Sequence, residues 1–374
     1  MVIFYPLTAC GRSSPKGEPG ALRPRASNTN ITKEIIFMPE ENTAKKRVLS
    51  LIQPTAVPHI GNYIGALRNW AGMADDYDCF YGVADLHAIT VRQEPAQLRK
   101  QSMEAFAMLL ALGLKRGNNV VFCQSHVPGH CQLAWVLNCY TQFGEASRMT
   151  QFKEKSQSHA DNVNVGLFTY PTLMAADILI YQAHYVPVGD DQKQHLELCR
   201  NVAERFNGAY GPTFVVPEPY IGKIGSRVMS LQNPAQKMSK SDPNPKASIA
   251  ITDAPDVVMK KCKSAVTDSE TEIRFAEGKD GINNLMTIYA ACTGKGFAEI
   301  EREFDGRGYG DFKLAVGEAV IGELQGFQEE YRRILGDKAY LKQMAAEGAE
   351  AASRIAGRTV EKAYRKVGLW DFRR

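Results

Sequence analysis

Two short stretches hold residues able to handle a phosphorylated substrate. The first is Pro58-His59-Ile60-Gly61-Asn62. It follows an apolar run, Val48 to Ile52, and opens a stretch of helical character from Gly61 to Ala74. A helix N-terminus beyond a strand offers N–H groups and a favourable dipole to a phosphate. His59 adds a donor for a phosphoryl oxygen, and Gly61 carries no side chain to keep a flat base from the backbone. The second stretch is Lys237-Met238-Ser239-Lys240-Ser241, followed by Asp242-Pro243-Asn244. Two lysines in a mobile loop flanked by Ser and Pro can hold the negative charge that grows on a triphosphate during displacement. Each stretch has an ordinary reading on its own, as a satisfied turn histidine and as a solvated basic loop. Together, in this order around one sheet, they favour nucleotide binding.

The elements that must position them follow from periodicity. Val48–Ile52, Phe80–Ala84, Val120–Cys123 and Tyr185–Val188 read as buried strands. Between them lie helical stretches: one starts at Pro95, has an apolar face of Leu98, Phe106, Leu109, Leu110 and Leu112, and closes at Gly113; another runs from Pro171 to Gln182. This alternation predicts an α/β fold with a doubly wound, parallel, Rossmann-like sheet. After about residue 250 the pattern becomes helical. Asp253 is placed to cap a helix with Pro255 just inside it. Phe312, Val316, Ala319, Val320, Leu324, Phe327, Tyr331 and Ile334 form one stripe of core spacing, and Met344 to Lys366 is an Ala-rich helix. The expected division is an N-terminal extension over 1–45, a catalytic domain over 46–240 and an all-helical domain over 241–374. The last helix is a candidate to pack back on the catalytic domain.

Composition narrows the class without choosing the partner. The 374 residues are 44% hydrophobic and 23% charged, ordinary for a globular chain. No apolar run approaches the roughly 18 residues that span a bilayer, so the chain reads as a soluble, cytoplasmic protein. The net charge is +4, and most of it lies in residues 1–37, where Arg12, Lys16, Arg23, Arg25 and Lys33 face only Glu18 and Glu34. Bulk charge therefore makes no case for RNA. That same segment is rich in Pro and Gly without periodicity, so little order is expected, and Met38 is a candidate native start. The eight cysteines include no Cys-x-x-Cys pair and read as reduced core residues. Cys123-Gln-Ser-His126 with His130-Cys131 has zinc-like spacing, but a strand end and a helix start explain it.

The two phosphate-handling stretches match the His-x-Gly-His and Lys-Met-Ser-Lys-Ser signatures, and the chain resembles the class I aminoacyl-tRNA synthetases. It departs at Asn62, which stands at the second histidine and cannot become a cation. The tryptophan branch tolerates asparagine there. Further blocks resemble that branch in its bacterial form: Ile52-Gln-Pro-Thr, Gly61-Asn-Tyr-Ile-Gly-Ala-Leu, Asp85-Leu-His-Ala-Ile-Thr90, Met149-Thr-Gln-Phe-Lys-Glu-Lys155, Tyr170-Pro-Thr-Leu-Met-Ala-Ala-Asp177 and Gly189-Asp-Asp-Gln-Lys-Gln-His195. The resemblance runs from about residue 46 to the C-terminus.

The resemblance implies activation of L-tryptophan by ATP and transfer to tRNA(Trp). His59, Asn62, Lys155, Lys237 and Lys240 would serve the phosphates, with Gln53 near the reacting centre and Met238 and Ser239 in the ATP-binding loop. Gly61 would lie beneath adenine, while Gly189 and Asp191 would hold the ribose. Met174 and Asp177 sit three apart, on one helix face, so Met174 would pack on the indole while Asp177 accepts its N–H in an otherwise apolar pocket. Phenylalanine would leave that carboxylate unpaired. Tyr170 and Gln192 would hold the ammonium group, and His87 would line the pocket. The resemblance also implies a homodimer and anticodon reading by the helical domain. Magnesium is expected to arrive with ATP, since no dedicated carboxylate cage is legible. Some relatives carry an iron–sulfur cluster in the helical region; only Cys262 and Cys292 occur here, so neither a cluster nor zinc is expected. The rivals are the tyrosine enzyme of the same fold, a catalytically dead paralogue, and another nucleotidyltransferase.

Overall fold

The computed structural model describes residues 45–55, 57–150, 163–189, 192–220, 227–240 and 242–370. Its centre is a five-stranded parallel sheet: β1 (Arg47–Ile52), β2 (Asp78–Val83), β3 (Val120–Cys123), β4 (Tyr185–Val186) and β5 (Glu218–Pro219). The order β3-β2-β1-β4-β5 places the first strand in the middle. Strand β1 pairs in register with β2, Val48 opposite Cys79 and Leu51 opposite Gly82. β5 lacks the apolar run that marks the inner strands; it is two exposed residues at the sheet edge.

Successive residues of a strand face opposite sides, and both sides of this sheet are covered. Val48, Cys79, Tyr81, Val83 and Val121 enter one apolar core, while Leu49, Leu51, Phe80, Val120 and Phe122 enter the other. The first core is closed by α1 and α3. Helix α1 begins at Ile60–Asn62, widens into a π-helical turn over Tyr63–Leu67 and continues through Arg68–Trp70. The four-residue helix α2 (Asp85–Ala88) follows β2, and α3 spans Pro95–Ala111. Gly113 just beyond α3 has φ +70°, the left-handed stop that glycine supplies readily.

The second core is closed by α4 (Gly129–Asn138), α5 (Phe143–Ser147), α6 (Val165–Ile180) and α7 (Lys193–Tyr210). Pro171 does not begin α6, contrary to the sequence expectation. The Asn164 side chain caps the helix by accepting from the Leu167 N–H at 2.9 Å, and Pro171 lies inside. A proline in a helix interior removes one backbone donor, and an upstream cap can still start the helix.

The C-terminal half adds α8 (Pro255–Lys263), α9 (Asp280–Thr293), α10 (Phe297–Glu303), α11 (Tyr309–Gly336) and α12 (Lys338–Lys366). The N-cap of α8 is Ala254, not Asp253, whose Oδ2 accepts from the Ala250 N–H and pairs with Lys261 at 2.6 Å. The apolar stripe of α11 packs against α8, α9 and α3. Helix α12 returns to the other face of the sheet and lies against β3 and α4. Gly348 makes that approach possible: a Cβ there would sit 1.9 Å from the Val121 carbonyl oxygen.

Candidate active site

The parallel strands all end on one rim, and the polar residues of interest follow those ends: Gln53 after β1, Asp85 and His87 after β2, Gln124 after β3, and Gly189 and Gln192 after β4. This is the crevice where open parallel sheets bind ligands. The loops are tied to one another there. Asp85 Oδ1 accepts from the backbone N–H of Leu86 at 3.1 Å and of Ser125 at 2.9 Å, joining the ends of β2 and β3.

On one side of the rim the stretches around His59 and around Lys237 to Lys240 meet. The Ile60 N–H donates to the Ile249 carbonyl at 2.8 Å, and the Ile251 N–H donates to the Pro58 carbonyl at 3.0 Å. Met238, only 1% exposed, sinks into the core beside Val228, Leu231, Ile249 and Ile251, so the lysine loop is anchored through its methionine. Lys237 and Lys240 flank it, half-buried. Burial alone pushes both ammonium groups down to about 8. His59 is 2% exposed, and burial, then the Lys240 charge, lower it to about 4, against a backbone hydrogen bond with Met238. It is therefore neutral near pH 7. Asn62 Oδ1 accepts from the His59 N–H at 3.1 Å, which leaves the amide's donor end for another partner. His59 Nδ1 and Asn62 Nδ2 are both buried and lack a hydrogen-bond partner among the described residues. Orphaned buried polar atoms are rare and costly, and an acceptor oxygen of a ligand would satisfy the Asn62 amide. A Cβ on Gly61 would lie 3.0 Å from the His59 ring and from Val228, so that glycine makes room for the histidine itself.

On the other side lies a pocket lined by Leu49, Gln53, Ala84, His87, Tyr170, Met174, Asp177, Ile178, Pro187 and Gln192, among others. Every residue expected in the amino-acid site is present. The Tyr170 hydroxyl is 2.8 Å from His195 Nε2 on α7, and its ring meets His87 edge-on at 6.3 Å. Asp177 is 1% exposed. Its expected setting, an otherwise apolar pocket, is corrected by its neighbours. His87 Nε2 lies 2.7 Å from Oδ2, while Gln124 Nε2 and His130 Nδ1 lie 2.7 and 2.6 Å from Oδ1. Burial pushes its pKa up, but His87 and His130 outweigh it and hold the carboxyl below the usual value.

Lys155 and Asp191 lie outside the described residues. Gln124, His130 and His195 were not singled out from the sequence as site residues. The first two stand in the stretch with zinc-like spacing, and the informative signal was their place just past the end of β3. Cys131 and Cys139 are exposed, unlike the core cysteines 79, 123, 199 and 262. Both lie in α4 and the residue that ends it, a helix with a solvent-facing side.

The family model for tRNA synthetases class I (W and Y) matches residues 41–325. A tryptophan–tRNA ligase of Clostridium tetani is 52% identical over 325 residues, covering 87% of this chain and 96% of its own length. The solved tryptophanyl-tRNA synthetase of Mycoplasma pneumoniae superposes with a TM-score of 0.77 at 34% identity, over 87% of this chain and 98% of that one. That of Campylobacter jejuni, complexed with ADP and tryptophan, also scores 0.77, at 33% identity over 86% of this chain and all of its own. The shared fold, the matching family model and a relative matched over nearly its whole length converge: the chain belongs to the class I tRNA synthetases of the tryptophan and tyrosine family.

Proposed function

We propose that the enzyme activates L-tryptophan with ATP to form tryptophanyl-adenylate, then transfers the tryptophanyl group to the 3′ end of tRNA(Trp). The observation that carries this reading is the buried Asp177 carboxylate, which lines one pocket with Met174 and with Gln53 at the end of β1. The C. jejuni relative is described with tryptophan and ADP bound, and the 52% identical relative is a tryptophan–tRNA ligase. A substrate carboxylate is already a nucleophile, so the first step needs positioning and charge stabilisation more than proton transfer. The substrate carboxylate attacks the α-phosphorus in line and pyrophosphate leaves. His59, Asn62, Lys237 and Lys240 hold the phosphates, joined by Lys155, while Met238 and Ser239 shape the loop. Gln53 lies near the reacting centre, Gly61 faces adenine, and Gly189 and Asp191 take the ribose. Tyr170 and Gln192 take the ammonium group. Magnesium would be held chiefly by the triphosphate oxygens.

In the same reading, residues 46–240 form the catalytic domain and 241–374 the helical domain, which reads the anticodon. The enzyme acts in the cytoplasm as a homodimer. Exposed apolar side chains on adjoining helices support the dimer: Trp135 at 72%, Phe143 at 77% and Val165 at 75%.

Amino-acid-dependent exchange of pyrophosphate into ATP tests the activation step. Exchange with tryptophan, and not with tyrosine or phenylalanine, is expected. Exchange with tyrosine would overturn the assignment of Asp177 and Met174, and none with any of the three would favour a dead paralogue.

A further inference from the structure

An ionised carboxylate offers about four acceptor directions, two on each oxygen. Three of the four on Asp177 are filled from the protein, by Gln124 and His130 at Oδ1 and by His87 at Oδ2. The donors can be assigned by elimination. A carboxylate only accepts, so His130 presents its Nδ1–H, and in a neutral ring its Nε2 must then accept. The Tyr181 hydroxyl, 2.8 Å from that Nε2, supplies the proton. Gln124 is turned the same way round, because its Oε1 accepts from the Leu86 N–H at 3.1 Å and so its amide N–H₂ faces Asp177. Tyr181 is itself immobilised, fully buried with its ring stacked on Phe80 at 4.7 Å. Every member of the chain from Tyr181 to Asp177 thus has one consistent role.

We propose that His130 and Gln124 are specificity-determining positioning residues, which saturate Oδ1 and so leave one aimed acceptor direction, on Oδ2, for a single N–H donor of the substrate. The proposal rests on the tryptophan reading above and adds what makes its key carboxylate selective. Neither residue lines the pocket, so each acts through Asp177. A free carboxylate could swivel to meet a hydroxyl, an amine or water; one pinned at three points presents a fixed lone pair.

The same residues set its charge. The groups facing Asp177 are His87, His130, Tyr181, Cys131 and Cys199. Burial is the largest influence and favours the protonated acid, and the two histidines oppose it. Removing His130 therefore moves the Asp177 pKa upward. A protonated Asp177 becomes a donor and loses its open acceptor direction, so tryptophan use must then fall as pH falls through the raised pKa.

The test compares tryptophan with 1-methyltryptophan, which has the same ring without the N–H, in pyrophosphate exchange by the full-length enzyme. His130→Leu should raise the KM for tryptophan by roughly tenfold to a hundredfold. The KM for ATP should stay near its wild-type value, and the preference for tryptophan over 1-methyltryptophan should collapse. An acid limb in kcat/KM for tryptophan should appear at higher pH than in the wild type. His130→Asn, whose amide nitrogen reaches the position of Nδ1, should restore part of the preference. Gln124→Met repeats the measurement should His130→Leu fail to fold. Equal losses for both amino acids and for ATP, with no movement of the pH limb and no rescue by asparagine, would overturn the positioning role. A wild type that exchanges only with another amino acid would overturn the functional reading itself.

Discussion

The two halves of the rim treat buried polar groups in opposite ways. Beside α1, His59 Nδ1 and Asn62 Nδ2 are buried without partners among the described residues, and two lysines are held near 8 by burial. Beside α6, the Asp177 carboxylate has three donors within 2.7 Å and a lowered pKa. The difference matches what each half would meet under the proposed function. On the proposed function a triphosphate brings several charged oxygens, so an open amide donor such as Asn62 Nδ2 gains its hydrogen bond when the ligand arrives, and electrostatic help is concentrated where charge develops. Discrimination between aromatic amino acids turns on a single N–H, so its acceptor must be settled beforehand.

The largest expected effect lies on the settled side. Asp177→Ala leaves His87, Gln124 and His130 without their shared acceptor, and should lower kcat/KM for tryptophan by about 2–5 kcal/mol of transition-state stabilisation. The KM for ATP should be nearly unchanged. Steady-state exchange kinetics read both, and unchanged tryptophan kinetics would dissolve the contrast. Next comes the open side: Lys240→Ala should lower kcat by about 10²–10³-fold, with a smaller change in tryptophan affinity. Altered affinity at normal turnover would deny the lysine a transition-state role. The smallest effect is a pH dependence. Both lysines are cations below about 8 and lose that charge as pH rises through it, so kcat/KM for ATP should decline on the alkaline side. A bound triphosphate raises their pKa, so ATP binding near pH 8 should take up protons, measurable by calorimetry in buffers of different ionisation enthalpy. A profile flat through pH 8, with no proton uptake, would break the contrast in tuning between the two halves.

Much of this architecture was legible before folding. Apolar runs marked β1 to β4, and the spacing of Phe312 to Ile334 marked α11, because burial on a strand or helix leaves a period in the sequence. The stretches around His59 and Lys237, proposed to hold the phosphates, also stood out, since a helix start after a strand and a lysine-rich loop are local signals. Missed or misplaced features depend on contacts rather than period. The edge strand β5 has no apolar run, and Pro171 looked like a helix start because the Asn164 side chain cannot be seen to cap from composition.

The sequence by itself thus determined the order of the elements, the parallel class of sheet and the chemical types available at the strand ends. Each is a consequence of local propensity and of which faces must leave water. Only the tertiary structure decided that Met238 would anchor the lysine loop against Val228 and Ile249, and that α12 would cross back to β3 over Gly348. It also gathered His87, Gln124 and His130, from three different segments, onto one carboxylate. Periodicity reports that a side chain is buried; which partner meets it there depends on how the helices pack on the sheet, and that packing is a property of the whole chain.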